Sequence, residues 1–200
     1  MDSIEIKEYA KEKIKGHLGD YWKGMILICL VEIIINVLST KLFGFNDVKS
    51  NISSLIASIL LAPASIGLFK YVDELLKGNK PDVKTIFSYY SNFLNIAVMT
   101  AISTILVLIG FILLIIPGFY LMLSYAVAPY LMMKDKNIDP IDALKKSRKL
   151  MKGHCLDLLI FVLSFIGWFL LVVITFGIAI IWVGPYIQVS IQKYYEKITA

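Results

Sequence analysis

The sequence predicts an all-α polytopic membrane protein: six transmembrane helices arranged as three helical hairpins, each preceded by a cytoplasmic amphipathic helix. Three observations carry this. The chain of 200 residues is 58% hydrophobic with a mean hydropathy of +0.75, against about 45–50% apolar for soluble domains. Six apolar runs approach the roughly 20 helical residues that a bilayer core requires. The basic residues sit almost entirely between alternate pairs of those runs, as they do in proteins whose Lys- and Arg-rich segments stay in the cytoplasm.

The runs are Tyr21–Thr40, Ile52–Val72, Phe93–Ile116, the short Gly118–Met133, Cys155–Thr175 and Phe176–Tyr194. With the N-terminus inside, all but Lys41 and Lys49 of the 20 Lys and Arg residues fall on the cytoplasmic side. Both termini are then cytoplasmic, and the helix count is even. Tight outer turns are expected at Pro117-Gly118 and at Phe176-Gly177, where proline cannot continue a regular helix and glycine ends one at little cost. Pro63, Pro129 and Pro185 each fall inside a predicted membrane helix. They read as structural bends, or as kinks around a cavity.

Three amphipathic helices complete the pattern. Ile6, Tyr9, Ala10, Ile14 and Leu18 share one face of the first. Val83, Ile86, Phe87, Tyr90 and Leu94 form a stripe on the second, and Ile141, Ala143, Leu144, Leu150 and Met151 on the third. The third carries the cations Lys145, Lys146, Arg148, Lys149 and Lys152, placed to meet anionic lipid head groups. These helices lie along the inner leaflet, or pack on one another as a cytoplasmic cap. Proline after an acidic residue opens the third, at Asp139-Pro140, as expected for a helix start. Tyr21, Trp22, Tyr71, Tyr89, Tyr90, Tyr194 and Tyr195 read as interface anchors, and Trp168 and Trp182 as deeper packing residues.

The chain reads as one integral membrane domain over 1–200, with repeats at 1–76, 77–135 and 136–200. Lys15-Gly16-His17-Leu18-Gly19-Asp20 matches Lys152-Gly153-His154-Cys155-Leu156-Asp157 as K-G-H-x-x-D, and these hold the only two histidines. Leu108-Ile109-Gly110-Phe111 parallels Phe165-Ile166-Gly167-Trp168, each followed by an apolar run and then Pro-Tyr. The middle unit lacks the K-G-H-x-x-D string.

Few residues invite chemistry. Glu32 lies within an apolar run, where an ionisable group is costly and is by default a functional candidate. It is a transport or protonation site, or a neutral glutamate hydrogen-bonded to Asn36. His17, Asp20, His154 and Asp157 have the donor types of a zinc or manganese site, each pair at i, i+3. The simpler reading makes them caps at the lipid interface. Cys29 and Cys155 are expected to stay reduced. No cleavable signal peptide, HExxH string or phosphate loop is present, so no enzyme activity and no cofactor are expected. Arg148 is the single arginine in a chain of net charge +5, which argues against nucleic acid as a partner.

Ser147-Arg148-Lys149-Leu150-Met151-Lys152-Gly153-His154, Leu163-Ser164-Phe165-Ile166-Gly167-Trp168, Thr175-Phe176-Gly177-Ile178 and Gly184-Pro185-Tyr186 resemble a bacterial integral membrane family called domain of unknown function 975. Ile115-Ile116-Pro117-Gly118 and Ser124-Tyr125-Ala126-Val127-Ala128-Pro129-Tyr130 fit the same pattern, and the N-terminal third matches loosely. The resemblance implies a multi-pass protein of a bacterial cytoplasmic membrane and brings no activity with it. Two functions follow as expectations. One is a non-enzymatic accessory or scaffold component, for envelope stress or antimicrobial-peptide handling, working as a homo-oligomer or with a membrane protein partner. The other is a small oligomeric transporter or lipid-handling permease using Glu32.

Overall fold

Helix is the only regular structure among the described residues, which in this computed structural model are 3–43 and 47–199, with the backbone alone described for 35, 36, 39, 40, 42, 43 and 47–55. In order they are α1 (Ser3–Ile14), α2 (Leu18–Phe43), α3 (Asp47–Leu76), a 3₁₀ helix (Val83–Asn92), α4 (Phe93–Leu113), α5 (Ile115–Tyr125), α6 (Ala128–Lys134), α7 (Pro140–Met151), α8 (Cys155–Leu163), α9 (Ile166–Ile174) and α10 (Ile180–Thr199). Among the described residues four helical stretches are long and apolar enough to cross a membrane: Ile56–Leu76, Val83–Leu113, Ile115–Lys134 and Cys155–Ile174. They mark a membrane protein. Expected spans at Tyr21–Thr40 and Phe176–Tyr194 are helical in α2 and α10 but are not among these four.

Local chemistry explains most boundaries. Asp139 caps α7, its carboxylate accepting from the backbone N–H of Ile141 at 2.9 Å, with Pro140 in the first turn. Gly16 and Gly153, which end α1 and α7, have φ of +93° and +90°, a left-handed conformation that glycine adopts without strain. The two K-G-H strings therefore make the same turn from an amphipathic helix into an apolar one. Gly177 (φ +89°) follows Phe176 (φ +51°) in the turn between α9 and α10, as its sequence context predicts.

Other expectations are corrected. Pro117-Gly118 is not the turn of the second hairpin. The chain reverses at Leu114, whose backbone is extended, and Pro117 sits in the first turn of α5, where its missing N–H costs nothing. Gly118 serves close packing instead: a Cβ there would lie 2.4 Å from the Phe111 ring, and one on Gly110 would lie 3.0 Å from the Gly118 Cα. Pro129 lies not inside a helix but at the start of α6, after a break at Ala126–Val127. Pro63 and Pro185 do lie inside helices, α3 and α10. The fifth apolar run is also divided, at Ser164–Phe165, where the Ser164 hydroxyl bonds back to the Phe161 carbonyl and competes with the helix ladder.

The second amphipathic segment is a 3₁₀ helix, and this changes its buried face. With three residues per turn, positions i and i+3 eclipse, so Ile86 and Tyr89 are buried while Phe87 and Tyr90 are exposed; Leu94, also exposed, belongs to α4. On α7 the buried stripe is Pro140, Ala143, Leu144, Ser147 and Met151; Ile141, one residue off the stripe, is exposed. On α1, Ile6 and Ala10 are buried.

Each of these three helices lies on an apolar hairpin. α1 packs on α10, with Glu5 paired to Lys197 and the Lys193 ammonium 4.7 Å from the Tyr9 ring centroid, so the two run antiparallel. The 3₁₀ helix packs on α3, with the Tyr89 hydroxyl donating to the Met133 carbonyl of α6 at 2.7 Å and Tyr90 to that of Leu60 at 3.0 Å. Its backbone presses on Gly67, where a Cβ would lie 1.9 Å from the Ile86 carbonyl oxygen. α7 packs on α4, α5 and α6, the Ser147 hydroxyl donating to the Ser124 carbonyl at 2.7 Å.

At the centre Phe69 of α3, Tyr130 of α6 and Tyr195 of α10 touch pairwise, with ring centroids 5.9–6.4 Å apart. Away from that centre the hairpin ends are bare. Ile112–Ile116, Val173 and Ile174 are largely exposed, and Phe176 is 97% exposed, an apolar surface that water does not tolerate.

Candidate functional site

The basic helix and the segment that follows it form one candidate surface. Lys145, Lys146, Arg148 and Lys149 are exposed on α7, and Lys152 just after it, because the opposite face of the helix is committed to the hairpin through Ala143, Leu144, Ser147 and Met151. One Lys145–Asp142 pair, at 3.5 Å and exposed on both sides, offsets little of that charge. The seat beneath is polar yet satisfied. Ser124, buried, donates from its hydroxyl to the Tyr120 carbonyl at 2.7 Å, and the Cys155 thiol donates to the Met151 carbonyl at 3.2 Å.

The four residues with metal-ligand chemistry are not brought together. His154 Nδ1 lies 3.0 Å from the Asp157 carboxylate, both half exposed. Asp20 instead accepts from Lys23 at 2.7 Å. That hydrogen bond and the Lys23 charge hold the Asp20 carboxyl below its ordinary value. Among the described residues no group of three or more His, Cys, Asp and Glu side chains could hold a metal ion. Tyr71 ties its hydroxyl to the backbone carbonyl of Asp20 at 2.7 Å, and His154 pairs within its own turn.

Glu32 is exposed on α2, and the side chain of Asn36 lies outside the described residues, so the expected pair has no geometry here.

Sequence reasoning missed a cation stripe on α1. It assigned only the apolar face of that helix and gave its lysines no aromatic partners. Lys7 Nζ instead lies 4.7 Å from the Phe165 ring centroid and donates to the Ser164 carbonyl at 3.4 Å; burial, then the neighbouring Lys11 charge, lowers its pKa. Lys11 Nζ lies 6.0 Å from the Trp168 ring, and Lys15 continues the row toward Trp182. The i, i+4 spacing of Lys7 and Lys11 puts both on one face of α1 but carries no sign of the rings they meet, and Lys15 follows in the turn after the helix. Trp182, expected to pack deeply, is 57% exposed, and Trp168 is half buried against Tyr186 at 5.2 Å. Trp22 reaches the same place, its indole N–H donating to the Ile181 carbonyl at 2.9 Å.

The family described as "Protein of unknown function (DUF975)" matches residues 83–200, from the 3₁₀ helix through α10. The match covers more than half of the chain, which therefore belongs to that family. No curated protein and no solved structure matches it.

Proposed function

We propose that this member of the family is a non-enzymatic accessory or scaffold component of a bacterial cytoplasmic membrane. Its six membrane helices form three hairpins with both termini in the cytoplasm, and each hairpin with its preceding helix is one repeat. The observation that carries the reading is the division of α7: one face is buried on the apolar second hairpin while four cations stand exposed on the other, with Lys152 just after the helix. A helix so divided seats the hairpin at a surface of anionic head groups. The same division supports a cytoplasmic placement, because Lys- and Arg-rich segments are retained on that side. The packing of α1 on α10, the 3₁₀ helix on α3 and α7 on α5 and α6 supports the repeat. Each preceding helix rests on the hairpin of the unit before it, and the first rests on the last.

Two measurements test this. Lys149→Cys, in a chain carrying Cys29→Ser and Cys155→Ser, should react with an impermeant maleimide only from the cytoplasmic side; labelling from outside overturns the topology. Native mass spectrometry of protein released gently from its own membranes should show a defined oligomer or a retained protein partner. A discrete bound solute that disappears in Glu32→Gln would instead establish the transporter.

A further inference from the structure

We infer that the groove between the end of α1 and the α9–α10 hairpin is a binding site for one anionic phospholipid, its phosphate held by Lys11 and Lys15 and an acyl chain lying against Trp168, Trp182 and Tyr186. This rests on the membrane reading above. The groove has a volume of about 440 Å³, within the range of sites that hold small molecules. Its wall is almost wholly apolar, with Ile14, the two tryptophans and Tyr186 contributing the surface.

The charge on its wall is all of one sign. Lys11 and Lys15 line the groove and no carboxylate does. Neither lysine has an acidic side chain within ion-pair distance among the described residues. Lysines that cap an apolar channel snorkel their ammonium groups toward a polar layer while their stems stay on the apolar wall. All three tryptophans of the chain gather there, since Trp22 bonds to Ile181 beside Trp182. An amphiphile with a negative head and a hydrocarbon tail complements both the two lysines and the apolar wall.

A second groove makes the contrast. It is about 530 Å³, lined by Phe119, Tyr120, Leu123, Leu156 and Leu159 among others, and has no lysine in its wall. It suits an acyl chain of any lipid and gives no reason to select charge.

The test uses the full chain, carrying Trp22→Phe so that its fluorescence comes from Trp168 and Trp182, in nanodiscs of phosphatidylcholine. Brominated phosphatidylglycerol or brominated phosphatidylcholine is titrated in, and quenching is read. Brominated phosphatidylglycerol should reach half-quenching at a mole fraction about tenfold lower, given two lysines near an anionic lipid and some screening. Lys11→Gln with Lys15→Gln should remove that preference, and Lys145→Gln with Lys146→Gln should keep it. Native mass spectra should show one retained anionic lipid, lost in the first pair only. Equal quenching by the two lipids, or a preference that survives Lys11→Gln with Lys15→Gln, overturns the site while leaving the membrane reading intact. No quenching by either lipid overturns the membrane reading and the site with it.

Discussion

Gly67→Ala tests the tightest contact in the fold. A Cβ at this position would lie 1.9 Å from the Ile86 carbonyl oxygen, 2.5 Å from its carbon and 2.8 Å from its Cα. All three atoms are backbone, so no rotamer change can make room, and the 3₁₀ helix must move away from α3. Overpacking costs about 1–3 kcal/mol where side chains can adjust. Here the displacement also uncovers Ile86 and Tyr89, which are 0% and 1% exposed, and partial loss of two such burials costs about 1–2 kcal/mol more. The expected destabilisation is about 2–5 kcal/mol, which for a chain of this size lowers Tm by roughly 4–20 °C. The assay is the rate at which a thiol-reactive dye modifies the buried Cys155 during heating, in a Cys29→Ser background. Gly19→Ala is the control: it is helical, nothing stands within 4 Å of its Cβ position, and alanine there should be neutral or mildly stabilising. A Gly67→Ala protein that melts within about 1 °C of the parent would refute the packing of the 3₁₀ helix on α3.

Three smaller perturbations probe the seat of α7, the core and the histidine turn. Ser147→Ala removes the hydroxyl that donates to the Ser124 carbonyl at 2.7 Å and should cost about 1 kcal/mol, read as a lower Tm by the same dye assay. Tyr194→Phe should leave stability unchanged or slightly raised, because the buried Tyr194 hydroxyl has no hydrogen-bond partner among the described residues; a clear loss would reveal one. His154→Ala breaks only a half-exposed pair with Asp157 and should shift stability by less than about 1 kcal/mol, with metal analysis of the purified protein showing no stoichiometric ion before or after.

Four membrane-length helices were legible because composition and run length are averages over many residues, and α4 begins at Phe93 and α8 at Cys155, where the apolar runs do. The breaks inside those runs were less legible. Ser164 bonding back to Phe161 divides the fifth run, and a serine in an apolar run gives no sign of whether it will back-bond or face a neighbour. The sequence also predicts an α-helical stripe at 83–94, where the observed helix is 3₁₀; the two periods differ too little over ten residues to be separated by apolar positions alone. At the candidate site, the cations of α7 were readable from amphipathicity. The lysines of α1 were not, because their partners Phe165 and Trp168 lie more than 150 residues away. Nothing local distinguishes a lysine facing water from one lying over an aromatic ring.

The contact that closes the fold makes a quantitative test of that long-range order. Phe69, Tyr130 and Tyr195 come from α3, α6 and α10, and every pair among them is in contact, at 6.4, 6.3 and 5.9 Å. Replacing one ring by leucine keeps most of the volume and removes two of the three ring–ring contacts. Two such single variants therefore count four lost contacts between them. The double variant loses only three, because the contact joining the two replaced rings is counted once. The pair should fall short of additivity by about one aromatic contact, roughly 0.5–1.5 kcal/mol. Tyr130→Leu and Tyr195→Leu, singly and together, supply the cycle, and Phe69→Leu with either supplies two more. Equal coupling in all three cycles is what a closed triangle requires. Coupling in only one or two would mean that one of the three helices meets the others elsewhere, and α1, the 3₁₀ helix and α7 would then decorate a chain of hairpins with no closed centre.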